Sequence, residues 1–343
     1  MRVELFQKYA SILELFDIKA NFMEEHGNVT KVYTDKGTYA LKKAMIKGQQ
    51  RNNILRNMQL LTENGFRSML PLYYTNDGRF LIYEKEEYYY VMPWIENADR
   101  AAEQNEHYHH MFRTLAKLHE KTTKSKEITE ETVTKHCDTM KKKWEAEREL
   151  LDQFVEKCEQ KWYMSPFELY YCSYYHQTTR AYEFAVGQLE TWQKEMKEKE
   201  TTRSVLTHGN FSRQHFLIDG DSNGFFISLE NAKEASPIQD LVTFYSRSLL
   251  TYPVARTDRF EWLVEYEKHY PLLKEEKHLF MSYLAYPHAM VRYVLQYEKQ
   301  QRKESELASS DKLQRASWMM NNVEFLISQI QQAEHMKELA KQQ

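Results

Sequence analysis

The stretch that decides the reading is Thr207-His208-Gly209-Asn210-Phe211-Ser212-Arg213-Gln214-His215-Phe216-Leu217-Ile218, continued after a short turn by Phe225-Phe226-Ile227-Ser228-Leu229-Glu230. Both segments are rich in aromatic and branched side chains and read as strands. The Asp-Gly and Asn-Gly pairs between them are ordinary hairpin punctuation. The result is a β-rich island, roughly residues 204–229, inside a region whose spacing otherwise predicts helix. Glu230 follows Ser228 by two residues, so a continuous strand would point both side chains to one face.

Working outward, the segment before residue 93 reads mostly as strands. TKVYT (Thr30–Thr34) and TYALK (Thr38–Lys42) flank a turn at Asp35-Lys36-Gly37, and Arg79–Glu84 and Tyr88–Met92 are further strands. Between them, residues 49–64 carry Ile54, Met58 and Leu61 at helical spacing and end at Gly65. After Pro93-Trp94 the pattern turns helical over His107–Lys124, Glu130–Trp162 and Pro166–Lys199, and again from Pro237 to the end. This order predicts an α+β chain with a small β-rich N-terminal lobe, residues 1–93, and a larger helical lobe, residues 94–343, holding the island within 204–230.

Composition excludes several classes. Only 9 of 343 residues are glycine, under half of the usual share of about 7%. No GxGxxG or GxxxxGK[ST] run can be built from them, which disfavours a Rossmann turn and a Walker-type phosphate cradle. A net charge of −3 offers no global attraction to nucleic acid. Cys137, Cys158 and Cys172 lack CxxC spacing and are odd in number, so reduced intracellular thiols are expected rather than a disulfide framework or a zinc site. The charges at Arg2, Glu4, Lys8, Glu14 and Asp17 leave no apolar signal core. No run approaches the roughly eighteen apolar residues of a membrane span.

The cadence His208-Gly209-Asn210, His215, Ile227-Ser228-Leu229-Glu230 and then Asp240-Leu241 resembles the aminoglycoside phosphotransferase and choline kinase families, which share the protein-kinase-like two-lobed fold. Other landmarks fall in order. Tyr39-Ala40-Leu41-Lys42 resembles the third-strand lysine motif, Tyr90-Val91-Met92-Pro93-Trp94-Ile95 the hinge, and Leu115-Ala116-Lys117-Leu118-His119 the LAxLH helix. The resemblance covers roughly residues 3–335. It implies that Lys42 and Met92 are the nucleotide-facing positions. It also implies a loop carboxylate that orients the acceptor hydroxyl, and an oxygen pair that holds Mg²⁺ on ATP.

This chain departs from that pattern where the chemistry is done. Asn210 stands at the catalytic aspartate, His215 at the metal-binding asparagine and Ser228 at the metal-binding aspartate. An amide cannot take a proton at neutral pH, an imidazole suits a hard cation poorly, and a serine hydroxyl carries no charge. Glu230 is the remaining carboxylate that could hold a cation, and no glutamate lies in the first turns after Gln49 to pair Lys42. Within the superfamily, YALKKA, residues 63–84 and the MPWIENA run resemble the CotS-like, YsxE-type branch of spore-coat-associated proteins. That branch implies passage from the mother-cell cytoplasm to the spore coat, other coat proteins as partners, and neither nucleic acid nor a membrane span. The expectation is a kinase-like protein without catalysis and without a cofactor. The alternatives are an atypical small-molecule phosphotransferase using ATP and Mg²⁺, and a nucleotide-binding module without transfer.

Four other signals are weaker. Residues 219–230 fit an EF-hand loop pattern, but its flanks read as strands where helices are required. His107, Tyr108, His109 and His110 look like a metal cluster but do not converge on a helix, and a solvated helix start is expected. Lys141-Lys142-Lys143 alternates with Glu145, Glu147 and Glu149 as an exposed helix does. The Tyr170–Tyr175 aromatic run is expected to put one face in the core.

Overall fold

A computed structural model describes residues 2–44, 46, 50–97, 104–300 and 304–342. In chain order the elements are α1 (Arg2–Leu15), β1 (Phe22–His26), β2 (Val29–Thr34), β3 (Gly37–Ala44), α2 (Gln50–Glu63), β4 (Ile82–Glu84), β5 (Glu87–Pro93), α3 (Gln104–Thr122), β6 (Lys124–Glu127), α4 (Glu130–Glu159), α5 (Pro166–Lys197), β7 (Thr201–Thr207), β8 (Phe216–Ile218), β9 (Gly224–Phe226), β10 (Lys233–Ala235), α6 (Ile238–Ser248), α7 (Asp258–His269), α8 (Lys274–Ala285), α9 (His288–Gln300) and α10 (Glu306–Gln342). Contacts group the chain into two units, Met1–Thr122 with Leu206–Glu234, and Thr123–Val205 with Ala235–Gln343. Residues 208–230 therefore belong with the N-terminal sheet.

The first unit is organised by a five-stranded sheet of order β1-β2-β3-β5-β4 in which every neighbouring pair is antiparallel. Its central strands are buried on both faces, which is why β3 reads YALKKA rather than as a strict alternation. Leu41, Val32 and Val91 pack on one side against Tyr9, Ile12, Leu13 and Phe16. Ala40, Ala44, Tyr90 and Met92 pack on the other with Ile54, Leu70 and Phe80. Each buried Val, Leu, Ile, Phe or Met among them contributes roughly 1.5–3 kcal/mol. The β3–β5 register sets Lys42 opposite Tyr90 and Ala40 opposite Met92, so all four share the second face.

Two elements of this unit are additions to the sequence reading. Helix α1 covers the sheet's first face, and its buried positions 9, 12 and 13, with Phe16 just past its end, have helical spacing that was present in the sequence. Strand β1 extends the sheet at its edge through a hairpin at Gly27, whose φ of +62° is left-handed. The expected strand Phe225–Leu229 is shorter than predicted: β9 ends at Phe226, and Leu229–Asn231 form one turn of 3-10 helix.

The second unit is helical. The six-residue link between α4 and α5 makes them antiparallel neighbours. Thr129 caps α4 by accepting from the Thr132 amide, and Ser165 with Glu168 forms a reciprocal capping box at α5, with Pro166 in its first turn. The core carries stacked rings, Trp144 on Tyr286 and Phe167 on Tyr297. Tyr171 is fully buried against Phe154 while Tyr170 is exposed, so the tyrosine run does put one face in the core. The short β6–β7 pairing, Lys124–Glu127 against Thr201–Ser204, is also an addition to the sequence reading. No described helix is long and apolar enough to cross a membrane. The three cysteines are free, and burial pushes the Cys137 thiol up to about 11 and the Cys158 thiol up to about 12.

Candidate active site

The site is built on the second face of the sheet. Lys42 projects from β3 beside Tyr90 of β5. The β8–β9 hairpin pairs Phe216 with Phe226 and hands the chain to Ser228, which is left-handed at φ +67° and ψ +48°. A non-glycine residue there stores roughly 1–3 kcal/mol of strain, and such positions concentrate at functional sites. The turn that follows closes through Ala232 N–H donating to the Leu229 carbonyl. It is this turn, and not strand alternation, that swings Glu230 toward Lys42. The sequence expectation that both side chains share one strand face is corrected accordingly.

The resulting cluster is compact. The Lys42 ammonium lies 2.6 Å from Glu230 Oε1 and donates to Ser228 Oγ at 2.6 Å. The Tyr90 hydroxyl donates to the same Glu230 oxygen at 2.6 Å. The Lys42 and Glu230 side chains are each 13% exposed. Burial by itself would raise the Glu230 carboxyl. The adjacent Lys42 charge and the two hydrogen bonds outweigh it and hold the group below its ordinary value. Burial, reinforced by the Glu230 charge, pushes the Tyr90 phenol far up. Met92 is buried two residues beyond Tyr90 on the same face.

The loop before β8 is held by its own polar groups. The Asn210 backbone N–H donates to His208 Nδ1 at 3.2 Å, which leaves the proton on Nε2, and Nε2 then donates to the Ile227 carbonyl at 3.0 Å. His208 is fully buried and ties the loop to the end of β9. His215 Nδ1 lies 3.0 Å from the Asn210 carbonyl and 2.9 Å from Ser212 Oγ, and its Nε2 lies 3.5 Å from the Asn210 side-chain amide. Gly209 adopts φ +75°, and a Cβ there would sit 2.1 Å from the Asn231 carbonyl oxygen. The loop thus packs directly on the turn that carries Glu230. The structure joins Lys42, Ser228 and Glu230 in one cluster, and Asn210 and His215 in a second set of contacts. Tyr90 was passed over in the sequence reading as a hinge residue. Only the strand register shows that its phenol reaches Glu230.

A hard divalent cation does not fit this donor set. Mg²⁺ seeks several oxygen ligands in octahedral array, whereas Glu230 is engaged by an ammonium and a phenol, Ser228 is neutral and His215 offers nitrogen. No group of three or more potential metal-ligating side chains occurs among the described residues. Strand β8 precedes residues 219–230, β9 lies within them and the 3-10 turn Leu229–Asn231 ends them, so the run lacks the helix on each side that an EF-hand needs. Asp219 Oδ1 accepts the amides of Asp221 and Asn223 at 2.9 and 2.8 Å, an ordinary loop closure. The expected solvated start at His107 is corrected: that ring is 2% exposed and meets Phe216 edge-on, because α3 packs this face inward. Lys141 pairs with Glu190 at 2.7 Å and Lys143 with Glu147 at 3.9 Å, the pattern of an exposed charged helix.

Solved structures share this architecture. The aminoglycoside phosphotransferase from Alicyclobacillus acidocaldarius is 17% identical with a TM-score of 0.76, the alignment covering 95% of this chain and 96% of that one. A microcompartment-associated aminopropanol kinase is 13% identical with a TM-score of 0.57, covering 95% and 98%. Spectinomycin phosphotransferase in its AMP-bound complex is 14% identical with a TM-score of 0.56, covering 91% and 97%. At these identities the likeness shows the fold alone, and the fold is protein-kinase-like, with a small antiparallel sheet and a large helical part. No curated protein matches the chain. The model of the phosphotransferase enzyme family matches residues 25–276, from β1 to α8. With well over half of its length matched, and with the lysine strand, the loop and the β8–β9 hairpin inside the matched span, this chain belongs to the phosphotransferase enzyme family.

Proposed function

We propose that this protein keeps the phosphotransferase scaffold without its phosphoryl-transfer chemistry and serves as a binding or assembly component of the spore coat. The observation that carries the first half is that the site's carboxylate, Glu230, is engaged by Lys42 and Tyr90 at 2.6 Å each, while the hydroxyl of Ser228 accepts from Lys42. Nearby, Asn210, His215 and Ser228 supply neither a proton acceptor for a hydroxyl nor an oxygen pair for Mg²⁺. Because these groups work as a unit, losing all three removes several kcal/mol of transition-state stabilisation, on the order of 10³-fold or more in rate. The coat assignment rests on the resemblance of YALKKA, residues 63–84 and MPWIENA to the CotS-like branch, with other coat proteins as partners. Immunodetection in coat extracts of mature spores tests it, and signal confined to the vegetative cytoplasm rejects it.

The expected result with Mg·ATP and a panel of amino alcohols, aminoglycosides and sugars is ADP release at background. Turnover that Lys42→Ala abolishes would establish the alternative, an atypical phosphotransferase working through Glu230. Nucleotide binding without transfer is read separately. The triple variant Asn210→Asp, His215→Asn, Ser228→Asp is expected to gain Mg·ATP affinity by calorimetry, since it returns two oxygen ligands and a carboxylate to the loop. Tight ATP binding by the unmodified protein, indifferent to Mg²⁺, would instead mark a nucleotide-binding module.

A further inference from the structure

The helical unit contains a pocket of about 370 Å³ that shares no residue with the Lys42–Glu230 cluster. It opens between α5 and α10 and is floored by the turn from α8 into α9. Ala181, Ala285, Ala289 and Ala316 leave the space, and Met290, Met319, Met320, Phe184, Val323 and Ile327 complete its apolar wall. Its volume falls in the range of about 300–1,000 Å³ usual for small organic ligands. An apolar cavity of this kind holds water poorly, and methionines can refit around an occupant.

The polar groups at the pocket divide into two sets. Some are engaged within the protein. The Gln177 amide donates to Asn321, Ser328 to the Phe325 carbonyl and Tyr286 to Glu147. Arg180 of α5 and Glu324 of α10 also line the pocket; both are exposed to solvent, and neither has a hydrogen-bond or ion-pair partner among the described residues. Two opposite charges, exposed on α5 and α10 at the rim of one apolar cavity, are complementary to a head that carries both signs. From this juxtaposition we infer a binding site for a small zwitterionic amphiphile, its anionic group on Arg180, its ammonium on Glu324 and its apolar body among the methionines. A guanidinium grips a carboxylate through paired N–H donors, and the carboxylate of Glu324 accepts from an ammonium. This site is independent of any nucleotide chemistry in the first unit.

A matched ligand series tests the assignment. Decanoate, decylamine and 2-aminodecanoate share an apolar tail and differ only in the head. With the full-length protein, calorimetry below micelle-forming concentrations is expected to show 2-aminodecanoate binding at least about tenfold more tightly than either singly charged probe. Arg180→Gln should erase its advantage over decylamine, and Glu324→Gln its advantage over decanoate. Ala181→Leu and Val323→Phe, which fill the cavity from two different helices, should weaken all three probes while the far-ultraviolet circular dichroism stays native. Equal affinity for the three heads overturns the inference. So does full binding by a natively folded filled variant, or no binding of any probe.

Discussion

Glu230→Ala is expected to destabilise the protein by about 3 kcal/mol, because it strands the Lys42 ammonium in a site only 13% exposed. It also removes the acceptor of the Tyr90 hydroxyl. Urea denaturation monitored by tryptophan fluorescence measures the loss. Lys42→Met is expected to cost a similar amount by stranding the Glu230 carboxylate. The double variant Lys42→Met, Glu230→Ala should cost less than the sum of the two by about 1–3 kcal/mol, since neither charge is then buried alone. Strict additivity would mean that the two groups do not interact in solution. The pair also sets a pH dependence. The folded-state value of Glu230 is depressed below its ordinary 4.5. Its contribution is therefore complete above about 4.5 and is lost as pH falls through the lower folded value. Wild-type stability should fall more steeply with acid below pH 4.5 than that of Glu230→Gln, which has no proton to take up.

Gly209→Ala carries the other large effect. The left-handed φ of +75° disfavours any Cβ by roughly 1–2 kcal/mol. The new methyl would also lie 2.1 Å from the Asn231 carbonyl oxygen, a backbone atom that cannot swing aside. A total loss of about 3 kcal/mol or more is expected, with displacement of the turn that holds Glu230. Gly27→Ala is the control. Its φ of +62° imposes the same conformational penalty, but nothing lies within 4 Å of the added Cβ. It should cost only about 1–2 kcal/mol. Equal losses for the two variants would show that the loop and the turn are not in contact in solution.

The contrast between these glycines explains how much of the protein could be read from sequence. Gly27 acts locally, and its turn conformation follows from the residues beside it. Gly209 is required by Asn231, a contact across 22 positions that no local pattern announces. The same distinction runs through the fold. Period-two and period-3.6 patterns located β2, β3, β5 and the long helices α3, α4 and α5, because each encodes its own buried face. Helix α1 carried that signal too, in Tyr9, Ile12 and Leu13 with Phe16 just past its end, but it is a short run beside the charges at Arg2, Glu4, Lys8, Glu14 and Asp17. Strand Phe225–Leu229 was over-extended because alternation continues in the letters after the backbone has turned left-handed at Ser228.

By itself, the sequence determined the order of strands and helices, the position of Lys42 on its strand, the loop beginning at His208, and the identities of Asn210, His215 and Ser228 in and after that loop. These follow from side-chain identity and periodicity, which are properties of short segments. Tertiary structure alone decided which carboxylate meets Lys42. Glu230 lies 188 residues away in the chain, and it arrives only because β3 and β5 align Lys42 with Tyr90 while a single helical turn after Ser228 re-aims its side chain. Ion pairing in a site closed to water depends on distances of a few ångströms, and those are set by how separate strands and turns pack together, not by their spacing along the chain.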